Sequence, residues 1–223
     1  MPGERLILLH GAVERAALFD AVIPFLTGTD IVIFERAGHG DRWQEGPGTV
    51  AGDVRDVVAL LGEEPAALVG HSIGGLAALG AALAVPELVR GVGLYETAIP
   101  WAEWWTDAGR DAMLKETEAN VAAAEDIDPS NPARDRLRMA WATCLQEVLD
   151  AFAAPFPWSE LTVPVTTGFG NDGTRPSARD AALVAAHYGV DPVVLAGAGH
   201  RAPKTHPEAF AGFVRACDQR AQG

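Results

Sequence analysis

Short apolar runs that recur along the chain are the feature that most limits how it can fold. Each run is continuous and bounded by glycine, proline or aspartate. Uninterrupted apolar runs are typical of strands that are buried on both faces, as in a parallel sheet. Segments with helical periodicity separate the runs, so strand and helix alternate. We predict strands at Leu6–Leu9, Ile31–Phe34, Ala66–Val69, Val92–Tyr95, Val163–Thr167 and Pro192–Leu195.

The segments between the runs carry apolar residues three or four positions apart, which places those residues on one face of a helix. Val50, Val54, Val57 and Leu61 show this spacing, and Gly62 supplies a helix stop. We therefore predict an α/β fold, with a doubly wound and mostly parallel sheet of about six strands and helices on both faces. A length of 223 residues suits one domain, which we assign to residues 1–223.

The stretch 96–162 interrupts this alternation. It has helical patterns over 111–124 and 133–152 but no convincing strand. We interpret it as a small helical cap inserted into the α/β domain. It contains five of the six tryptophans of the chain, which makes it a candidate wall for a substrate pocket: Trp101, Trp104, Trp105, Trp141 and Trp158.

Charge and composition exclude several classes of protein. The net charge of -13 and a pI near 4.8 disfavour a nucleic-acid partner, because phosphate contacts require clustered Lys and Arg. The first apolar run is too short for a signal peptide or a membrane span, so we expect a cytoplasmic protein without a membrane partner. Cys144 and Cys217 are isolated in helical stretches, as buried thiols would be. Metal-ligand spacings and nucleotide-binding glycine motifs are absent from the sequence, so we expect neither metal nor cofactor.

The sequence Gly70-His71-Ser72-Ile73-Gly74-Gly75 lies between a predicted strand and a predicted helix. In that setting Gly-x-Ser-x-Gly is the sharp turn that holds a nucleophilic serine in a strained backbone conformation. The Ile73 N–H lies at the start of the helix, where the helix dipole favours developing negative charge. Ala12, just beyond the first strand, is placed to offer a second backbone N–H to an oxyanion.

The sequence resembles the α/β-hydrolase superfamily over nearly the whole chain outside the cap. The motifs occur in the family's order, serine, then acid, then histidine, which is more specific than any one of them. The resemblance implies the α/β-hydrolase fold and the chemistry of a catalytic triad. It is carried by Leu8-Leu9-His10-Gly11, Glu35-Arg36-Ala37-Gly38-His39-Gly40, the Gly70–Gly75 turn, Gly197-Ala198-Gly199-His200 and His206-Pro207-Glu208.

His200 is the histidine that we predict to be the general base. It follows the last predicted strand on a glycine-flanked loop, where a base must lie to reach the Ser72 hydroxyl. His10 and His39 are expected to orient loops near the mouth of the site, and His71 is a structural neighbour of the nucleophile.

Two carboxylates compete for the role of triad acid. Asp172 is favoured, because it follows the strand that precedes the one leading to His200. Family members usually have a Gly-x-x-Asp spacing there, and if Gly170 is the equivalent glycine, Asp172 arrives one residue early. Glu96 is the alternative, since it directly follows the fourth predicted strand and some family members place the acid there.

These residues predict a serine hydrolase that cleaves a carboxylic ester, or a lactone or thioester, of a small apolar or aromatic molecule. Trp104 and Trp105 of the cap are expected to bind the substrate, together with Ala12 and Ile73. One alternative keeps the triad but changes the reaction to that of a lyase, acyltransferase or cyclase, because fold does not determine reaction. Another is a ligand-binding protein without turnover, which an intact Ser72 and His200 argue against.

Overall fold

The computed structural model of the protein describes residues 5–153, 156–172 and 176–222. Six strands form one sheet in the spatial order β2-β1-β3-β4-β5-β6, and every neighbouring pair is parallel. The predicted doubly wound sheet is confirmed, and all six strands lie where the apolar runs placed them to within a few residues. The strands are β1 (Arg5–Leu9), β2 (Asp30–Phe34), β3 (Ala66–His71), β4 (Val89–Tyr95), β5 (Val165–Gly170) and β6 (Val193–Leu195).

Helices cover both faces of the sheet, which explains why the strands are apolar without alternation. In β1, Ile7 and Leu9 pack in one buried cluster, whereas Leu6 and Leu8 belong to another. The helices are α1 (Val50–Leu61), α2 (Gly74–Ala84), α3 (Asp107–Glu125), α4 (Arg134–Ala153), α5 (Pro176–His187), α6 (Ala202–Thr205) and α7 (Pro207–Ala221). The first cluster includes residues of α1, α2 and α5, and the second includes five buried residues of α7.

The helix ends follow local sequence rules. The Thr49 side chain accepts a hydrogen bond from the Gly52 N–H at the start of α1, and Thr106 does the same for Gly109 at the start of α3. Gly62 follows α1 with a φ of 58°, a conformation that costs glycine little. These caps satisfy backbone groups that would otherwise lack partners at the helix ends.

The two long helices α3 and α4 occupy the chain between β4 and β5, as the helical patterns of the 96–162 segment predicted. Cys144 and Cys217 are buried free thiols, as expected, and burial raises the pKa of Cys144 to about 11 and that of Cys217 to about 12. None of the helices within the described ranges is both long and apolar enough to cross a membrane.

Candidate active site

Ser72 lies in the turn between β3 and α2, with a φ of 54° that side-chain-bearing residues rarely adopt. Such a conformation costs on the order of 1–3 kcal/mol, so its surroundings must hold it in place. The Ser72 N–H donates to the Tyr95 carbonyl at 2.9 Å, and a Cβ at Gly70 or Gly74 would lie 2.3 Å from neighbouring backbone. The flanking glycines therefore allow the close packing that the predicted turn requires.

Ser72 opens onto a cavity of about 190 Å³. Ala12 and Ile73, the two residues proposed from sequence as oxyanion donors, line the same cavity. Ile73 caps the N-terminus of α2, where backbone N–H groups have no partner within the helix. The remaining lining residues come from α2, from the loop after β4 and from α3 and α4: Leu76, Ala98, Pro100, Met113, Glu116, Thr117, Cys144, Val148 and Ala151.

His200 is hydrogen bonded to a buried carboxylate, that of Glu96. The Nδ1 atom of His200 lies 2.7 Å from Oε2 of Glu96, whose side chain is only 3% exposed. Because a carboxylate can only accept, Nδ1 carries the hydrogen, and Nε2 of the neutral ring is left without one. The other carboxylate oxygen, Oε1, accepts from the Gly170 N–H at 3.0 Å. Two donors therefore hold Glu96 in the orientation that fixes the His200 tautomer.

The structure corrects the preference for Asp172 as the partner of His200. The strand β5 continues to Gly170, three residues beyond its predicted end, so Asp172 follows it almost immediately. Its side chain is exposed, and its backbone N–H donates to the Ala198 carbonyl at 2.8 Å. Glu96 reaches His200 from the end of the neighbouring strand β4, with a φ of 45° that turns the chain sharply.

The loop that carries His200 is held by residues adjacent to the other members of the site. Nε2–H of His71, next to Ser72, donates to the His200 carbonyl at 2.7 Å. The Tyr95 hydroxyl, next to Glu96, donates to the Gly199 carbonyl at 3.1 Å. The rings of His71 and His200 lie 4.8 Å apart between centroids. Serine, histidine and glutamate are thus brought together at the carboxyl ends of β3, β6 and β4.

His39 supports the loop that contains Ala12, as expected from the sequence. Its Nε2 accepts from the Val13 N–H at 3.3 Å, and its Nδ1–H donates to the Ala37 carbonyl at 3.1 Å. Val13 has a φ of 59°, an unfavourable value for a β-branched residue. Burial lowers the pKa of His39 to about 2, and Arg36 and His10 add to this effect. The neutral ring can therefore keep accepting the Val13 hydrogen bond.

A buried ionic cluster joins α4 to the sheet beside this loop. Nε of Arg36 donates to Oδ2 of Asp53 at 2.7 Å, and its Nη2 contacts the Glu147 carboxylate of α4. Nη1 of Arg36 donates to the His10 carbonyl at 3.2 Å. All three charged side chains are at most 1% exposed. Arg36 therefore connects a helix of the cavity wall to the strand end that leads to Ala12.

The structure also corrects the expectation that Trp104 and Trp105 bind substrate, because neither is among the residues that line the described cavity. Both indole N–H groups donate to the carboxylate of Asp180 on α5, at 3.0 and 2.7 Å, and the Ile99 N–H donates to it at 2.9 Å. A buried indole requires an acceptor, and Asp180 supplies one. These tryptophans therefore anchor the chain after β4 to α5.

Comparison with known proteins identifies the family of the chain. Residues 6–213 match the sequence pattern of the alpha/beta hydrolase family. The chain belongs to the alpha/beta hydrolase family. The all-parallel six-stranded sheet has the fold that the sequence motifs implied for an alpha/beta hydrolase.

Among curated proteins, the chain is 29% identical over 150 residues to lipase LipV of Mycobacterium tuberculosis, covering 66% of this chain and 55% of that protein. It is 30% identical over 131 residues to 2-(acetamidomethylene)succinate hydrolase of Mesorhizobium japonicum, covering 56% and 45%. The chain thus spans about half the length of these relatives. The solved structure of NosK from Streptomyces actuosus matches with a TM-score of 0.74 and 26% identity, covering 97% of this chain and 99% of that one.

Some residues of this alpha/beta hydrolase site gave little signal in the sequence. Asp180 is a single carboxylate within an apolar helix, and nothing in the sequence shows that tryptophans surround it. Glu116 and Cys144 face the cavity from α3 and α4, but their helical patterns do not indicate which face is directed toward Ser72. No group of three potential ligands among His, Cys, Asp and Glu is arranged to hold a metal within the described residues.

Proposed function

We propose that the protein is a serine hydrolase that cleaves carboxylic esters of small apolar or aromatic molecules through an acyl-enzyme. The observation that carries the proposal is the placement of Ser72, in a strained strand-to-helix turn that opens onto an apolar cavity. His200, oriented by the buried Glu96, lies at the same end of the sheet. Relatives named as a lipase and as a hydrolase support hydrolysis as the reaction class.

The reaction begins when Nε2 of His200 takes the proton of the Ser72 hydroxyl and Oγ attacks the ester carbonyl carbon. The carbonyl oxygen becomes an oxyanion, which accepts hydrogen bonds from the Ile73 and Ala12 N–H groups. The tetrahedral intermediate then collapses, the bond to the alkoxy oxygen breaks, and His200 gives its proton to the leaving alcohol. Glu96 stabilises the imidazolium that exists between these two transfers.

Deacylation repeats these steps with water in place of the alcohol. His200 removes a proton from water, the hydroxide attacks the acyl carbonyl, and the bond to Ser72 Oγ breaks as Oγ recovers its proton from His200. The products are a carboxylic acid and an alcohol, and the protein returns to its starting state. Cys144 is not the nucleophile, because burial raises the pKa of its thiol to about 11.

The size of the cavity limits the group that it can enclose. Its volume of about 190 Å³ lies below the roughly 300–1,000 Å³ of typical ligand pockets. An apolar cavity of about 150 Å³ accommodates benzene, so a single ring or a short chain fits here. We therefore propose short acyl or benzoyl esters as substrates in preference to long-chain lipids.

The test is to measure hydrolysis of para-nitrophenyl esters and labelling by a fluorophosphonate. Ser72→Ala should abolish labelling and lower kcat by on the order of 10⁴-fold or more, while the far-UV circular dichroism stays unchanged. Ser159→Ala is the matched control, because Ser159 is exposed and does not line the cavity. Ester turnover that persists in Ser72→Ala would refute the covalent mechanism.

A further inference from the structure

The lining of the cavity beside Ser72 is asymmetric in charge. Nine of its twelve described lining residues are apolar, and Ser72 and Thr117 add two hydroxyl groups. The remaining residue, Glu116, supplies the one charged side chain among them. Lysine, arginine and histidine are absent from this described lining. A ligand in the cavity therefore meets a carboxylate and no cation.

Glu116 is placed to act at the mouth of the cavity. It lies on α3 one residue before the buried Thr117 and one helical turn after Met113, and all three residues line the cavity. Its own side chain is exposed. Its charge acts on another lining residue, because it adds to the effect of burial in raising the pKa of the Cys144 thiol on α4.

Arg36 is a buried cation that also acts on Cys144. It lowers the pKa of the Cys144 thiol, and at that position its effect is larger than the opposite effect of Glu116. However, Arg36 is 1% exposed and is paired with two buried carboxylates, those of Asp53 and Glu147. The guanidinium of Arg36 therefore forms its ion pairs inside the protein, and Arg36 is not among the described lining residues of the cavity.

A substrate carboxylate that enters this cavity loses water and gains no cationic partner, which is unfavourable in an apolar environment. It also approaches a like charge, which is a common way of rejecting an unwanted ligand. A substrate ammonium group would be attracted to Glu116. An uncharged acyl group avoids the repulsion and buries apolar surface against the nine apolar lining residues.

We propose that Glu116 is a specificity-determining residue: the cavity accepts acyl groups that are uncharged or carry an ammonium group and rejects those that end in a carboxylate. This inference rests on the proposed ester hydrolysis at Ser72. It goes further by specifying which charge the acyl group of the substrate can carry, a property that neither the fold nor the triad determines.

Two pairs of para-nitrophenyl esters test the proposal. The first pair is the hexanoate and the adipate monoester, which compares an uncharged chain end with a carboxylate. The second is the γ-trimethylammoniobutyrate ester and its tert-butyl isostere, in which carbon replaces nitrogen. In the native protein we expect kcat/KM for the adipate monoester to be about tenfold or more below that of the hexanoate. The ammonium ester should exceed its isostere by about threefold or more.

Glu116→Gln preserves the size of the side chain and removes its charge. The ammonium ester should then lose its advantage over its isostere, and the penalty on the adipate monoester should shrink by about threefold or more. The penalty that remains is the cost of removing the carboxylate from water. Glu118→Gln is the matched control: it removes the same charge from the same helix, and Glu118 is exposed and outside the described lining. Its ratios should equal those of the native protein.

The outcomes separate the two proposals. If the neutral esters are hydrolysed but the adipate monoester is equally good, or if Glu116→Gln leaves both ratios unchanged, the specificity proposal is wrong and ester hydrolysis stands. An equal response in Glu118→Gln would also overturn it, because the effect would then reflect net charge. Failure of every neutral ester, together with no fluorophosphonate labelling of Ser72, would overturn ester hydrolysis and the specificity proposal with it.

Discussion

Replacing Glu96 by glutamine is the sharpest test of the catalytic geometry. The carboxylate has two acceptor oxygens, one at 3.0 Å from the Gly170 nitrogen and one at 2.7 Å from Nδ1 of His200. A glutamine amide has one acceptor oxygen and one donor NH₂ group, whereas the Gly170 N–H and the Nδ1–H of His200 both require an acceptor. The amide therefore cannot accept from both neighbours. With its oxygen on the Gly170 N–H, the amide NH₂ group faces Nδ1 of His200.

That orientation is the favoured one. The opposite orientation would place two N–H donors against each other beside Gly170, and an unsatisfied buried donor costs about 1–3 kcal/mol. A donor facing Nδ1 of His200 moves the ring hydrogen to Nε2. The lone pair of the neutral ring is then on Nδ1, so Nε2 cannot deprotonate Ser72, and the imidazolium loses its counter-charge. We expect kcat to fall by roughly 10³ to 10⁴-fold, or about 4–5.5 kcal/mol of transition-state stabilisation.

The assay is steady-state hydrolysis of para-nitrophenyl acetate, with urea denaturation to show that the variant is folded. Asp172→Asn is the control, since the exposed Asp172 contacts the histidine loop through its backbone N–H, which the substitution retains. It should change kcat by less than about threefold. A folded Glu96→Gln variant that loses less than about tenfold in kcat, or a larger loss in Asp172→Asn, would refute the assignment of Glu96.

Two further predictions concern stability. Burial lowers the pKa of His39 to about 2 and that of His71 to about 3 from 6.5, so the unfolded chain binds protons that the native protein excludes. The free energy of unfolding should therefore decrease as the pH falls below about 6.5, by up to about 1.4 kcal/mol per pH unit for each histidine. Equal midpoints of urea denaturation at pH 7 and pH 5 would contradict this prediction. Trp104→Phe removes one donor to Asp180 and should lower the free energy of unfolding, measured by urea denaturation, by about 1–3 kcal/mol. It should leave the relative kcat/KM values for esters of different acyl length unchanged. A changed acyl preference would indicate that Trp104 contacts the substrate.

The sequence alone determined the fold and two members of the site. Continuous apolar runs exist because helices cover both faces of the sheet, so each run could be assigned to a strand before any contact was known. The Gly70–Gly75 turn could be recognised because close packing between strand and helix excludes side chains at its glycines. Ser72 and His200 were identifiable because Ser72 directly follows β3, His200 lies in the loop after β6, and the carboxyl ends of parallel strands meet at one edge.

Only the tertiary structure decided which carboxylate faces His200 and which residues enclose the cavity. Glu96 and Asp172 both follow strands, and the choice depends on where β5 ends and on the φ of 45° at Glu96, neither of which the local sequence specifies. The roles of Trp104 and Glu116 depend on how the segment between β4 and β5 packs over the sheet. Helical periodicity identifies an apolar face, but long-range contacts such as those with Asp180 determine what that face meets.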